Sequence, residues 1–232
     1  RELAARANRL ARALQRLGVE QGDRVCILSP NSHFFLESFY ATSWIGAILV
    51  PLNYRLLAAD HEYILNHAGV GTVLVDWEYV EVVDGIRPRL SSVRSYVVAQ
   101  ESGAAPAGWL DWNALLAVES DEPPPAPERS ENDVVSLNYT SGTTARPKGV
   151  MLTHKYLLDN AHRLISSTGA APGMEYLSYI SPAWATEQMF GITMGLCLPL
   201  VVNFPEGPEQ VLSSIRELAV EAMTFAPRQW ES

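Results

Sequence analysis

Lysine is almost missing from these 232 residues: it occurs twice, as Lys148 and Lys155, in a chain of formal charge −9. A surface so acidic offers no basic face to a phosphodiester backbone, which excludes a nucleic-acid footprint. It also excludes a polybasic patch for an anionic membrane. Cysteine is equally scarce. Cys26 and Cys197 stand in apolar stretches without metal-like spacing, as expected of reduced, buried thiols in a cytoplasmic protein. No apolar run reaches the ~18 residues that a membrane span needs. The opening residues Arg1-Glu2-Leu3 already belong to a helical pattern and carry no signal-peptide signature. The histidines form no catalytic pair: His61 and His67 are six apart, the wrong spacing for one helical face. No internal repeat is visible.

What is present is an alternation. Leu3, Ala7, Leu10, Leu14 and Leu17 recur at helical spacing, and Gly18 is a natural stop. Short β-branched runs at 25–29, 47–52, 72–76 and 95–99 read as strands, with helices at about 31–44, 60–67 and 80–90 between them. Strands alternating with helices predict a mostly parallel α/β sheet. The run Asp121-Glu122-Pro123-Pro124-Pro125-Ala126-Pro127 reads as a stiff, extended connector. Beyond it the alternation resumes, with helices at 154–167, 187–196 and 208–220 and strands at 177–180, 199–204 and 222–225. The predicted fold is therefore α/β with two mostly parallel sheets flanked by helices. The first part covers residues 1–168 and the second, incomplete, covers 169–232.

The most informative stretch is Tyr139-Thr140-Ser141-Gly142-Thr143-Thr144-Ala145-Arg146-Pro147-Lys148-Gly149. It lies between two strand-like runs, where a rigid scaffold can present a loop. Glycine frees backbone N–H groups to point at phosphate oxygens, hydroxyls donate further hydrogen bonds, and the lysine adds positive charge. That chemistry suits a polyphosphate. The common P-loop is excluded, because it needs glycine directly before the lysine and Ser or Thr directly after, where this chain has Pro147 and Gly149.

The string resembles the signature T-S-G-T-T-G-x-P-K-G of the adenylate-forming superfamily, which includes acyl-CoA synthetases, peptide-synthetase adenylation domains and beetle luciferases. It matches at Thr140, Ser141, Gly142, Thr143, Thr144, Pro147, Lys148 and Gly149. Eight fixed types at average usage coincide by chance on the order of once in ten billion starting positions. One position departs: Ala145 stands where the family has glycine, and a positive φ there would strain alanine by roughly 1 kcal/mol. The run Val50-Pro51-Leu52-Asn53-Tyr54-Arg55 is also similar to the opening of acyl-CoA synthetases. Ser181-Pro182-Ala183-Trp184-Ala185-Thr186-Glu187-Gln188 falls where they carry a substrate-proximal motif, and Pro227-Arg228-Gln229-Trp230-Glu231 is similar to a stretch of their long-chain fatty-acid members.

The resemblance implies a ligase. ATP and a carboxylic acid, a medium- to long-chain fatty acid, give acyl-adenylate and pyrophosphate, and coenzyme A then displaces AMP. Lys148 and Thr144 take the catalytic roles, with Thr144 approaching Mg²⁺. Thr140, Ser141, Gly142, Thr143 and Gly149 join them in gripping the phosphates, while Trp184 and Glu187 face the acid. Structural readings stand beside these roles: local turn capping for the threonines, a core side chain for Trp184, a first-turn helix charge for Glu187. The family also implies that the first helix packs with the second α/β subdomain. Its ribose-binding aspartate, small barrel and lid domain have no counterpart up to Ser232, so the expectation is an N-terminal fragment, inactive alone, whose partner is the missing C-terminal domain of the same enzyme. The competing readings are a fatty-acyl-AMP ligase or peptide-synthetase domain that loads a carrier protein, and a non-catalytic nucleotide-binding remnant.

Overall fold

The computed structural model describes residues 1–100, 102–140 and 146–224. It divides into two compact units, Arg1–Thr153 and His154–Ser232. The first opens with helix α1 (Glu2–Arg16) and continues through β1 (Arg24–Leu28), α2 (His33–Ile45), β2 (Ile48–Pro51), α3 (Ala58–Ala68), β3 (Thr72–Asp76), α4 (Val80–Ile86) and β4 (Ser95–Ala99). A short strand β5 (Leu110–Asp111) and helix α5 (Trp112–Ala117) precede β6 (Val134–Thr140) and β7 (Lys148–Thr153). Among the described residues these strands form one seven-stranded sheet in the order β5-β4-β3-β1-β2-β6-β7. All neighbours run parallel except β6 and β7, which are antiparallel. The central strands are buried on both faces, so their apolar runs are continuous rather than alternating: Val25-Cys26-Ile27-Leu28 in β1 and Val73-Leu74-Val75 in β3, whose five residues are all buried.

Two helix ends follow local rules. Helices α2 and α3 stop at Gly46 (φ +74°) and Gly69 (φ +63°), where the left-handed conformation costs glycine nothing. Helix α4 ends at Ile86 rather than at 90, because Pro88 lacks the N–H that an α-helix needs; a 3₁₀ turn, Arg87–Arg89, follows. Between Ala99 and the proline-rich run the sequence patterns predict no element, yet β5 and α5 lie there. Asp111 caps α5 by accepting from Ala114 N–H at 2.7 Å.

Helix α1 buries Ala7, Leu10, Ala11, Ala13 and Leu14 and packs on α2 and α5. It thus belongs to the first unit. The reason is polar as well as apolar. Glu37 of α2 is fully buried; it accepts from Arg6 Nε of α1 at 2.5 Å and from Trp112 Nε1 of α5 at 3.2 Å. The proline-rich segment is extended and held down through its carbonyls. Those of Asp121, Glu122, Pro124 and Glu128 accept hydrogen bonds from Asn8, Arg12, Trp44 and Gln21.

The second unit starts with α6 (His154–Thr168), followed by β8 (Glu175–Leu177). A helical segment then runs through α7 (Ala185–Glu187), a π-helix (Gln188–Met194) and α8 (Gly195–Cys197). Strand β9 (Val201–Asn203) pairs parallel with β8, and α9 (Val211–Leu218) follows a 3₁₀ turn. Ala222 adds a single parallel bridge to Tyr176; Phe225 lies outside the described residues. Helix α6 packs on the π-helix and falls in the second unit.

Glu37 supplies a test of the packing. Glu37→Ala leaves the Arg6 guanidinium and the buried Trp112 N–H without their acceptor, and should cost about 3 kcal/mol. Urea unfolding should show a lower midpoint at an unchanged m-value, with Glu37→Gln less affected because its amide oxygen still accepts. An unchanged midpoint in Glu37→Ala would contradict this packing.

Candidate functional site

The Gly/Ser/Thr-rich stretch is the connection of an antiparallel hairpin. Strand β6 is anchored to the interior of the sheet by its pairing with β2. Its partner β7 is set so that Thr140 lies directly opposite Lys148, Tyr139 opposite Gly149 and Asn138 opposite Val150. Directly opposed residues project from the same face of a sheet. Hence Ser136, Asn138, Thr140 and Lys148 share one face, and Leu137, Tyr139 and Gly149 the other. The polar face begins with buried Ser136 and Asn138, whose side chains hydrogen-bond at 2.7 Å. It ends at the mouth of the loop, where Thr140 and Lys148 are both exposed.

Gly149 has a packing reason on the opposite face. A Cβ added there would lie 3.0 Å from Leu137 Cδ1 and 3.3 Å from Tyr139 Cζ, so a side chain fits only if these side chains shift. The Tyr139 hydroxyl meets His67 Nδ1 at 2.7 Å, and burial pushes its pKa up. Spacing from His61 assigns His67 no role; the signal that could have found it is the i,i+4 pair Tyr63 and His67 on α3.

Lys148 forms no ion pair among the described residues. Ser141, Gly142, Thr143, Thr144 and Ala145 lie outside the described residues, so the structure places the two ends of the predicted phosphate loop and not its middle. The donor set at those ends, a hydroxyl and an ammonium, suits an anion. Among the described residues no group of three His, Cys, Asp or Glu could hold a metal. Thr144, the residue expected to approach Mg²⁺, lies outside the described residues.

Trp184 and Glu187 belong to the second unit and point apart. Trp184, the residue before α7, is 50% exposed, whereas Glu187 is 2% exposed. The Glu187 carboxyl accepts from Ser178 Oγ at 2.6 Å and from Tyr176 Oη at 2.9 Å. A Cβ at Gly191 would lie 2.2 Å from Glu187 Oε1, so glycine is what leaves room for the buried carboxyl. The π-helix widens the turn that follows, and there Thr193 Oγ1 donates to the carbonyl of Gln188, five residues back. π-Helical turns recur at functional sites. No helix among the described residues is long and apolar enough to cross a membrane.

Burial raises the Glu187 pKa from 4.5 to about 7, against the opposing hydrogen bonds of Ser178 and Tyr176. The folded state therefore holds this proton more tightly than the unfolded chain. Its contribution to stability is complete below about pH 4.5 and is lost as pH rises through about 7. Relative to wild type, Glu187→Gln should gain on the order of 2–3 kcal/mol between about pH 5 and about pH 8. Urea melts of both proteins across that range would show it; a pH-independent difference would contradict a buried, proton-retaining carboxyl.

Comparison with known proteins bears on what this geometry serves. Residues 1–232 match the family of AMP-binding enzymes. A long-chain-fatty-acid–CoA ligase of Thermus thermophilus is 35% identical over 215 residues, 93% of this chain and 37% of the ligase. A feruloyl-CoA synthase of Amycolatopsis is 32% identical over 240 residues, 100% of this chain and 44% of the synthase. The inhibitor-bound crystal structure of the N-terminal domain of FACL13 from Mycobacterium tuberculosis superposes with a TM-score of 0.80 at 28% identity, covering 98% of this chain and 55% of that one. The chain thus spans less than half the length of the two curated relatives. By its match along all 232 residues, the chain belongs to the AMP-binding enzyme family.

Proposed function

We propose that this chain carries the phosphate-gripping hairpin, and part of the acid-binding region, of an AMP-forming acyl-CoA ligase acting on medium- to long-chain fatty acids. The observation that carries the reading is the placement of Lys148. It is one of only two lysines, and it stands exposed beside Thr140 at the mouth of the loop. The relative of 35% identity is named as a long-chain-fatty-acid ligase, which supports the choice of acid.

The chemistry needs such a cation. A carboxylate is a poor acyl donor because its oxygen is a poor leaving group. Attack of the carboxylate oxygen on the α-phosphorus of ATP forms the acyl-adenylate and expels pyrophosphate, whose negative charge grows as the P–O bond breaks. The Lys148 ammonium opposes that charge most strongly in the transition state. Thr140, Ser141, Thr143 and Thr144 supply hydroxyl donors, and Gly142 and Gly149 allow close backbone approach; Mg²⁺, when bound, shields the phosphate charge. In the second step the thiol of coenzyme A attacks the acyl carbon, AMP leaves, and a thioester remains. Trp184 serves in this reading as a wall for the acid, and its half exposure leaves its ring open to a ligand. Glu187 acts behind it, fixing β8 and the start of the helix that presents Trp184.

A second reading is activation of an aryl acid, favoured by the 32% identity to a feruloyl-CoA synthase along the whole chain. Acid-dependent exchange of labelled pyrophosphate into ATP, measured on the enzyme that carries this sequence with a panel of fatty and aryl acids, separates the two. Fastest exchange with medium- to long-chain fatty acids is expected; exchange with aryl acids alone would overturn the choice of acid.

Lys148→Ala should lower the single-turnover adenylation rate by ~10²-fold or more, and ATP affinity by less, because the charge matters most as pyrophosphate departs. A fully active Lys148→Ala enzyme would refute the role assigned to the hairpin.

A further inference from the structure

Helix α3 meets the stem of the hairpin through side chains that the chemistry above does not use. Tyr63 and His67 are four residues apart and so lie on one helical face. Their rings stack, with centroids 5.3 Å apart and planes 29° apart. His67 reaches the strand that enters the loop: its Nδ1 lies 2.7 Å from Tyr139 Oη, and the two rings meet edge to face at 5.8 Å. Tyr63 reaches the segment that leaves the loop: the Arg146 guanidinium lies 5.4 Å from its ring centroid. Tyr63, Leu137 and Tyr139 also pack against the core that contains Ile64 and Leu65 of α3. Both flanks of the loop are thereby tied to one helix.

We propose that Tyr63 and His67 are positioning residues for the phosphate grip. They hold Tyr139, which precedes Thr140, and Arg146, two residues before Lys148, so that both ends of the loop are set before the nucleotide arrives. Groups held in their binding geometry before a ligand arrives lose less freedom on gripping it, which raises affinity and rate without adding a contact to the nucleotide. The inference rests on the reading of the hairpin as the triphosphate site.

The test is a double-mutant cycle in the enzyme that carries this sequence, with MgATP as the probe. His67→Phe keeps a stacking ring but removes the nitrogen, and Tyr139→Phe keeps the ring over Gly149 but removes the hydroxyl. Each single variant should lower kcat/KM for ATP about fivefold, the size of one net hydrogen bond lost, with KM for the acid within about twofold. The double variant should be no worse than the weaker single, since both remove one link. His67→Asn, whose amide falls near the position of Nδ1, should recover most of the loss, and it replaces His67→Phe if that variant does not fold. The inference is overturned if both single variants match wild type. It is equally overturned if the double loses the product of the single effects, or if KM for the acid rises in step with that for ATP, as general loosening would produce. Lys148→Ala in the same assay separates the two failures. If it stays active, the phosphate reading falls and the positioning role with it; if it is inactive while His67→Phe and Tyr139→Phe are normal, only the positioning role falls.

Discussion

The antiparallel ladder between β6 and β7 sets the two ends of the proposed phosphate grip. Its register puts Thr140 opposite Lys148. Because side chains alternate along a strand, a slip of one residue would carry Lys148 to the face now held by Leu137 and Tyr139. Two features resist that slip. Strand β6 is paired on its other side with β2 of the parallel sheet. On the ladder itself, Leu137 and Tyr139 close over Gly149 so tightly that an added Cβ would meet them at 3.0 and 3.3 Å. The glycine at the end of the motif thus serves packing, and in the proposed grip the lysine beside it supplies charge.

The two units show opposite treatments of an ionisable group. Lys148 is exposed and free of any ion pair among the described residues, so its charge is available to an incoming anion. Glu187 is buried, with both oxygens occupied by Tyr176 and Ser178 and with Gly191 shaped around one of them. A carboxyl in that setting keeps its proton to higher pH than usual, because burial penalises the charged form more than two hydroxyl donors can offset. It organises the segment that bears Trp184 instead of meeting solvent. Glu37 resembles it in burial but has a guanidinium partner, Arg6, and an indole donor, Trp112. It ties three helices together where Glu187 ties a strand to a helix.

How much of this is legible in the sequence depends on how local each cause is. Strands at Thr72–Asp76 and Ser95–Ala99 agree residue for residue with the reading of their β-branched runs, since burial on both faces leaves an unbroken apolar string. The stop of α3 at Gly69 is local too. Helix α5 escapes the sequence patterns although Asp111 is a recognisable cap, because the paired part of β5 is only two residues long. The π-helix is invisible to periodicity: apolar spacing over 187–196 fits an ordinary helix, and the widened turn coincides with the carboxyl of Glu187 filling the space beside Gly191. The contact of His67 is likewise not legible in sequence, since its partner Tyr139 is 72 residues away. At the candidate site the motif names Thr140, Lys148 and Gly149, and the structure adds why they stand together. The roles of Ser141, Gly142, Thr143 and Thr144 rest on the motif alone.

Amide hydrogen exchange of the enzyme that carries this sequence, with and without MgATP, tests most directly whether the hairpin is the phosphate grip. If it holds the triphosphate, MgATP should slow exchange at the amides of residues 140–149, with the paired amides of β6 and β7 protected as well. Acid-dependent adenylate formation without any slowing in this hairpin would mean that the phosphates are held elsewhere, and would contradict the role assigned to Thr140 and Lys148.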